Sequence, residues 1–319
     1  MATGMNWAQL IAIAIVAIVV GGGFAGYLYF KNRPQGPPSV LTTRLGDNVT
    51  VNYIGVMGSG AESGKVFDTS LYSVATNGIA YPKSLEFGLR GTAKNYTPLA
   101  VHLGSNTPSS GYSLGGLSFI QTVTGFWQGV VGMTGNSTRA VIVPPNLGYG
   151  PTNSACVATR PLQFTVPMVE TLTLAQFAQR FPGITAFQGT EFPDPHYAWP
   201  VLVLSENSSF ATIENLPSLG STASPAGWPV VVTALSPTAN GTGTITLTNQ
   251  LNPAQAGLIL GHDYLGTGPC SGQSGGRFIV SSVNIADGTY TENFNQEVQG
   301  QTLVFLITVV DIFPSGTLG

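Results

Sequence analysis

An uninterrupted apolar segment near the amino terminus is the feature that most limits what this chain can become. From Leu10 to Phe30 no charged residue occurs, and the run IAIAIVAIVV is almost purely aliphatic. At about 1.5 Å per residue, a helix of this length would cross a hydrocarbon core of roughly 30 Å. Trp7 before the run and Tyr29 near its end suit the two interfaces of a membrane. The segment therefore predicts an uncleaved transmembrane anchor over residues 7–30.

The orientation of that anchor is left open by conflicting signals. Lys31 and Arg33 follow the apolar run, and the positive-inside tendency would place the body in the cytoplasm. The composition favours the outside, because only 8% of the residues are charged, against roughly 25% in an average soluble domain. We therefore predict a single-pass protein of the cell membrane with an extracytoplasmic body. Five Asn-x-Ser/Thr sequons agree with that side, at Asn48, Asn95, Asn136, Asn207 and Asn240.

Several classes of function are disfavoured by composition and spacing. The net charge is -3 and no Lys/Arg cluster occurs, which disfavours nucleic-acid binding. The three histidines and two cysteines lack metal-ligand spacing, so we expect neither a metal site nor a cofactor. Two G-x-S-x-G matches, at residues 111–115 and 272–276, lack the strand before and helix after that a serine hydrolase needs.

The chain divides into segments that differ in composition and hydrophobic periodicity. Residues 31–40 contain three prolines and predict a semi-rigid linker. Alternating residues predict a first strand over Asn48–Val56, and a β-branched apolar run predicts a last strand over Gln301–Phe313. Between them we expect a long loop with one short helix over Leu71–Asn95, and one short amphipathic helix over Thr124–Met133.

The stretch 151–294 indicates a β-rich module built from hairpins. Trp199-Pro200-Val201-Leu202-Val203 is echoed by the segment Trp228-Pro229-Val230-Val231-Val232, and Arg277–Glu292 is a third, diverged candidate copy. Cys156 and Cys270 lie near the two ends of this module. In an oxidising compartment they would form a disulfide that clasps it; two unrelated buried thiols are the alternative.

Four blocks resemble, in the same order, the FKBP-type peptidyl-prolyl isomerases. They are GDNVTVNYIG (46–55) with GKVFDTS (64–70), GFWQGVVGM (125–133), the segment 139–150 ending in IVPPNLGYG, and 302–312. The long Asp68–Pro98 loop and the insertion after Gly150 are similar to the SlyD-like and long archaeal-type branch, whose inserts bind unfolded chains. The resemblance implies an α+β fold, an antiparallel sheet wrapped on a short helix. It implies a discontinuous isomerase domain, 41–150 plus 295–313, with a β-rich insert, 151–294, in its flap.

The resemblance also implies a pocket for a prolyl ring, lined mainly by aromatic side chains. Phe126 occupies the floor, where compact members of the family usually carry Trp, and Leu99 stands where an aromatic residue is common. The residues at the family's catalytic positions are Tyr53, Phe67, Asp68, Val123, Phe126, Tyr149 and Phe305, with Leu99 and Thr122 as substrate-binding residues.

On these grounds we predict a membrane-anchored peptidyl-prolyl cis-trans isomerase and folding chaperone for extracytoplasmic proteins. Its partners would be unfolded or proline-containing polypeptides. The alternative is a catalytically weak FKBP-like scaffold whose insert acts as a holdase or as a cell-surface binding module.

Overall fold

The computed structural model of the protein describes residues 41–105, 112–114, 116–238 and 242–315. By its internal contacts the chain forms two compact units. Unit 1 comprises residues up to Thr152 and from Gln296 onward, and unit 2 is the continuous segment Asn153–Asn295. Unit 2 is thus inserted in the sequence of unit 1.

Unit 1 is built on a five-stranded antiparallel sheet with the order β2-β1-β19-β6, in which β3 also pairs with β1. A two-stranded ribbon and two short helices complete it. The elements are β1 (Asn48–Met57), β2 (Val66–Thr69), α1 (Tyr72–Thr76), β3 (Leu99–His102), β4 (Tyr112–Leu114), β5 (Leu117–Phe119), α2 (Thr124–Val130), β6 (Thr138–Val143) and β19 (Leu303–Phe313).

The core of unit 1 lies between this sheet and helix α2. The helix packs closely against β6 because it carries glycine where it faces that strand. A Cβ on Gly125 would lie 2.6 Å from a Val143 methyl group, and one on Gly129 would lie 2.4 Å from a Val141 methyl group. Any larger residue at either position would push the helix away from the sheet. This close packing fixes where Phe126 points.

Unit 2 consists of three four-stranded antiparallel sheets and two short helices around one hydrophobic core. We call them the first, second and third sheets in the order of their hairpins. The first contains β9 (Val169–Thr173), β10 (Glu191–Pro193), β11 (Pro200–Glu206) and β12 (Phe210–Asn215). The second contains β8 (Gln163–Pro167), β13 (Thr222–Ala223), β14 (Val230–Pro237) and β15 (Gly243–Asn249). The third contains β7 (Val157–Pro161), β16 (Leu260–His262), β17 (Arg277–Asn284) and β18 (Thr289–Asn293). The helices are α3 (Leu174–Arg180) and α4 (Ser271–Ser274).

The three sheets are copies of one design. Each contains a hairpin whose first strand has a bulge at the same place, after Val203, Val232 or Val280. The outer strand that completes each sheet comes from three consecutive six-residue segments, VATRPL, QFTVPM and VETLTL, over 157–174. The register is equivalent, because a cross-strand threonine pair recurs in every sheet: Thr171–Thr212, Thr165–Thr246 and Thr159–Thr291.

The tryptophans of the two echoed segments begin the hairpins of the first two sheets. Trp199 donates through its indole N–H to Asn215 Oδ1 at 3.1 Å, and Trp228 donates to Asn249 Oδ1 at 2.8 Å. All four residues are buried. Each bond joins the beginning of a hairpin to its end and gives a buried indole N–H its partner.

Unit 2 also contains the predicted disulfide. Cys156 and Cys270 are bonded to each other, with their Cα atoms 5.3 Å apart and a sequence separation of 114. The bridge joins the segment just before β7 to the N-terminus of α4.

The predicted α+β class is wrong. About 40% of the described residues lie in strands and only 13% in helices, and the larger sheets are all antiparallel. The reason is that apolar and polar residues alternate along the hairpin strands of unit 2, such as β11, β12 and β15, which suits half-buried strands. Helices form only where the alternation breaks, and none described exceeds seven residues.

The predicted membrane anchor must also be corrected. Within the described ranges no helix is long and apolar enough to cross a membrane. At about 1.5 Å per residue, a helix of seven residues reaches only about a third of the roughly 30 Å hydrocarbon core. The segments proposed as the span, 7–30, and as the linker, 31–40, lie outside the described residues. The structure therefore lends no support to a single-pass cell-membrane localisation.

Candidate active site

A cavity of about 360 Å³ opens in unit 1 beside strands β1 and β2, helix α2 and strand β19. Its volume lies within the range of about 300 to 1,000 Å³ that is typical of small-ligand pockets. The lining residues are Tyr53, Phe67, Asp68, Arg90, Leu99, Ile120, Gln121, Thr122, Val123, Phe126, Tyr149 and Phe305.

Four aromatic rings form the apolar interior of this pocket. Phe126 and Phe305 meet edge to face with ring centroids 5.0 Å apart, and Tyr53 lies 5.8 Å from Phe126. Phe67 lies 5.6 Å from Phe305, also edge to face. Edge-to-face pairs bring the positive ring edge to the negative ring face, so the rings hold one another in fixed orientations.

Glycine at position 55 makes room for the Phe67 ring. On strand β1, Gly55 pairs with Asp68 of β2 on one side and with Phe305 of β19 on the other. A Cβ at this position would lie 2.7 Å from Phe67 Cζ and 3.2 Å from the Phe305 ring. A side chain here would therefore displace both rings from the pocket wall.

A polar network of three residues lies at one side of the rings. The Tyr53 hydroxyl donates to Asp68 Oδ2 at 2.5 Å, and Arg90 Nη2 donates to Asp68 Oδ1 at 2.5 Å and to the Tyr53 oxygen at 3.0 Å. The Thr69 amide also donates to Asp68 Oδ1, at 2.9 Å. Arg90 itself is oriented by its backbone N–H, which donates to the Tyr96 hydroxyl at 2.8 Å. The network fixes the Tyr53 ring and leaves its hydroxyl no freedom to rotate.

Both tyrosines of the pocket are held in their protonated form. Burial, reinforced by the charge of Asp68, raises the pKa of Tyr53 far above its ordinary value of 10.0. The same two causes, burial first, raise the pKa of Tyr149. Tyr149 follows a short helical turn after β6 and is 42% exposed, so its ring lies at the pocket mouth. At neutral pH both hydroxyls are hydrogen-bond donors.

One polar atom on the pocket wall has no protein partner. Thr122 Oγ1 is buried and makes no hydrogen bond within the described residues. A buried hydroxyl without a partner costs about 1 to 3 kcal/mol. A bound substrate amide would supply the missing partner.

The structure brings all nine residues of the predicted isomerase pocket to this one cavity. Three further lining residues, Arg90, Ile120 and Gln121, were missed by the sequence reasoning. Ile120 and Gln121 could have been found from their position beside Thr122, which follows β5 directly. Arg90 had no such signal, because it lies in the long segment without periodicity between α1 and β3. Among the described residues no group of three or more potential metal ligands occurs.

The arrangement suits binding of an apolar ring beside a polar amide, and it offers little for bond-breaking chemistry. The rings exclude water, the Tyr149 hydroxyl can donate to a carbonyl at the mouth, and Thr122 can bond the backbone of a ligand. Asp68, the carboxylate of the pocket, accepts hydrogen bonds from Tyr53, Arg90 and the Thr69 amide. It is therefore occupied as an acceptor rather than poised as a free general base.

A comparison with models of known protein families finds a match over the part of the chain that forms most of the pocket. Residues 41–169 match the model of the family described as FKBP-type peptidyl-prolyl cis-trans isomerase. A search of curated proteins finds no match to the chain. The matched region contains every residue of the pocket except Phe305, and that region does not cover most of unit 2. The chain therefore carries, at residues 41–169, an FKBP-type peptidyl-prolyl cis-trans isomerase domain, the domain of an enzyme family.

Proposed function

We propose that this protein isomerises X-Pro bonds of polypeptides in the pocket of unit 1 and assists their folding. One observation carries the proposal above all others: the Tyr149 hydroxyl, kept protonated, lies at the mouth of a pocket of mutually oriented aromatic rings. A proline side chain is an apolar ring next to an amide carbonyl. The pocket offers a complementary surface to each of these two parts.

The proposed mechanism needs no nucleophile and no cofactor. Rotation about an amide bond must overcome about 18 to 20 kcal/mol, because resonance gives the C–N bond partial double-bond character. That resonance form separates charge, and an apolar pocket disfavours it. The rings of Phe126 and Phe305 would hold the prolyl group in such surroundings. A hydrogen bond from Tyr149 to a neighbouring carbonyl of the substrate, rather than to that of the rotating amide, would hold the peptide in place without stabilising the charge-separated form.

The proposed clients are unfolded or proline-containing chains in an oxidising environment. Isomerisation of X-Pro bonds takes tens to hundreds of seconds without a catalyst and often limits the rate of folding. The Cys156–Cys270 disulfide supports the oxidising environment, since such bonds persist mainly there.

The exposed apolar side chains of unit 2 favour a second candidate function, that of a holdase. Phe187, Leu219 and Leu265 are 67%, 66% and 61% exposed. Such residues would bind apolar segments of unfolded chains. On this view unit 1 serves as a scaffold with little catalysis. Suppression of aggregation that weakens in a Phe187→Ser, Leu219→Ser variant of the full chain would support the holdase role.

The test of the isomerase proposal is a protease-free assay on a proline-containing tetrapeptide. We expect Tyr149→Phe to lower kcat/KM by about tenfold, the value of one hydrogen bond made in the transition state. The matched control is Tyr72→Phe, which removes a hydroxyl from a residue of α1 that does not line the pocket. A wild-type rate equal to that of buffer, or equal rates for the two variants, would contradict the proposed mechanism.

A further inference from the structure

At three neighbouring positions the third sheet of unit 2 carries polar residues where the other two sheets carry aliphatic ones. Strand β7 carries Arg160, whose cross-strand partner on β18 is Tyr290, and Glu292 follows two residues later on the same face of β18. The bulge and the cross-strand threonine pair that all three sheets share identify the corresponding positions in the first and second sheets. In the other two sheets these positions are aliphatic: Val166, Ile245 and Leu247 in the second, and Leu172, Ala211 and Ile213 in the first.

The three polar residues form one connected cluster. Arg160 Nε donates to Glu292 Oε2 at 3.0 Å, and the Tyr290 hydroxyl donates to Glu292 Oε1 at 3.1 Å. Tyr290 and Glu292 are each only 7% exposed, whereas the Arg160 side chain reaches solvent. The cluster therefore connects the interior of unit 2 to its surface.

The fold itself does not require this cluster. Two of the three copies build the same place from aliphatic side chains that belong to the common core. Replacing a buried ion pair with apolar residues of similar volume is often neutral or stabilising, because desolvation of the charges is costly. A charged cluster kept in one copy alone thus indicates a role other than stability.

A cavity of about 180 Å³ lies against the cluster. Besides Arg160, Tyr290 and Glu292, its wall includes apolar groups, chiefly Phe164 and Phe278. A pocket with mostly apolar walls and a few convergent polar groups is the usual form of a small-molecule site. Its volume lies below the roughly 300 to 1,000 Å³ of typical ligand pockets, so it suits a ligand no larger than a single ring.

Two other polar residues of the wall already make hydrogen bonds within the protein. Asp263 accepts from the Gly268 amide at 2.6 Å, and the Tyr264 hydroxyl bonds that of Tyr197 at 2.8 Å. His262 and Thr267 also line the wall, so their side chains add hydrogen-bonding groups to those of the cluster. Arg160 uses only its Nε within the described residues, and each Glu292 oxygen retains a further lone pair.

The charge of the cluster selects the class of ligand. An anion would meet the carboxylates of Glu292 and Asp263, and a cation would meet the Arg160 guanidinium, whereas a neutral ligand that carries hydroxyl groups is repelled by neither. The ion pair presents N–H donors beside carboxylate acceptors, and a hydroxyl group is both a donor and an acceptor. The aromatic walls suit the C–H face of a saturated ring, whose hydrogens are attracted to the negative ring face. A sugar ring combines these two properties.

We propose that this cavity of unit 2 binds one hexose ring, either as a free sugar or as the terminal residue of a glycan. The test uses the full-length protein and titration calorimetry with glucose, galactose, mannose and N-acetylglucosamine. A glycan array that presents the same sugars as terminal residues distinguishes a free sugar from a glycan.

The decisive variant gives the three positions of the cluster the residues found at the equivalent positions of the second sheet: Arg160→Val, Tyr290→Ile and Glu292→Leu together. We expect it to unfold at the same temperature as the wild type or higher, to retain isomerase activity, and to lose sugar binding. The single variant Glu292→Gln, which is nearly isosteric, should weaken binding by about tenfold through loss of a charged acceptor. It keeps the proposal testable if the triple variant fails to fold.

Three outcomes would overturn the proposal. They are no binding of any of the four sugars in either format, unchanged affinity in the Glu292→Gln variant, and binding of asparagine, as a probe for an amide ligand, without binding of a sugar. None of these outcomes depends on isomerisation, so the sugar-binding proposal is tested independently of the activity of unit 1.

Discussion

The hydroxyl of Tyr53 on strand β1 donates a 2.5 Å hydrogen bond to Asp68 of the neighbouring strand β2. Arg90, from a segment far along the chain, bonds to both residues. The Tyr53 ring is part of the pocket wall, so whatever orients this pair also shapes the substrate site. These contacts make Arg90 a positioning residue, because it orients Tyr53 and Asp68.

Replacing Arg90 with Met should therefore lower kcat/KM for an X-Pro tetrapeptide by about threefold to tenfold. Arg90→Lys should rescue only part of the loss, because an ammonium cannot reproduce the planar fork of a guanidinium. Partial rescue is a result that a purely structural role would not produce. Lys94→Met, which removes an exposed cation of the same segment, is the control and should leave the rate unchanged. Equal kinetics for Arg90→Met and the wild type would refute the positioning role.

Phe126→Ala should separate the catalytic role of the pocket floor from its packing. Phe126 is 2% exposed and Leu103 is 0% exposed, and both belong to one core cluster of unit 1. Only Phe126 lines the pocket. Truncation to Ala should cost about 3 to 5 kcal/mol of unfolding free energy at Phe126 and about 2 to 5 at Leu103. At a temperature where both variants remain folded, only Phe126→Ala should lose activity, and equal activities would show that the floor is merely core.

The pocket could be predicted from the sequence because its residues lie in blocks with strong local signals. Tyr53 and Phe67 lie on strands with clear alternation, and Phe126 lies in a short helix between two strands. Arg90 could not be predicted, since nothing in its surroundings links residue 90 to residue 53. The α+β class failed because it was taken from the family resemblance of unit 1, whereas unit 2 adds three antiparallel sheets and only two short helices.

Only part of the architecture of unit 2 could be predicted from the sequence. The hairpins of the first two sheets were indicated by the Trp-Pro-Val echo. The third was predicted over Arg277–Glu292 only as a diverged copy, because it has Gly275-Gly276 before it and no Trp. The six-residue period that supplies β7, β8 and β9 went unnoticed, because these strands alternate weakly and each pairs with a distant hairpin. The clearest sequence signal of this six-residue period is the threonine that recurs at positions 159, 165 and 171.

Removal of the disulfide should destabilise unit 2. The bridge closes a loop with a sequence separation of 114, and restriction of the unfolded chain corresponds to a ceiling of about 4 to 5 kcal/mol. We expect Cys156→Ser, Cys270→Ser to lower the guanidinium midpoint, measured by far-UV circular dichroism. Dithiothreitol should lower the midpoint of the wild type and leave the double variant unaffected. A wild-type midpoint that does not respond to the reductant would contradict this expectation.

Arg180→Met should be among the most destabilising single changes in unit 2. Arg180 bonds to Glu170 at 2.7 Å and to Asp194 at 2.9 Å, and the Asp194 side chain is fully buried. Loss of the guanidinium leaves two carboxylates without their cation, which should cost about 3 kcal/mol. The matched control, Arg277→Met, removes an exposed guanidinium without an ion pair among the described residues and should change stability by less than about 0.5 kcal/mol. Equal midpoints for the two variants would be inconsistent with a structural role for this ion cluster.

Glu297 should make the stability of unit 1 depend on pH. Its carboxylate is 7% exposed, accepts from the Ser84 hydroxyl at 2.5 Å and from the Glu86 amide at 3.0 Å, and thereby holds the long loop of unit 1. Burial, with the nearby charges of Glu86 and Glu62, raises the pKa of Glu297 above its ordinary value of 4.5 despite those hydrogen bonds. The folded state therefore binds the proton more tightly than the unfolded state does.

It follows that the contribution of Glu297 to stability is fully present below about pH 4.5 and is lost as pH rises through the raised pKa. Glu297→Gln keeps the group neutral, with its amide able to donate to Ser84 and its oxygen able to accept from Glu86. The unfolding free energy of this variant relative to the wild type should therefore rise between about pH 4.5 and pH 7, as measured by denaturant titrations across that window. Gln296→Ala, an exposed neighbour without a titratable group, is the control and should give a difference that does not change with pH. If the relative stability of Glu297→Gln stays constant or falls over the window, the buried carboxylate is not the group that titrates.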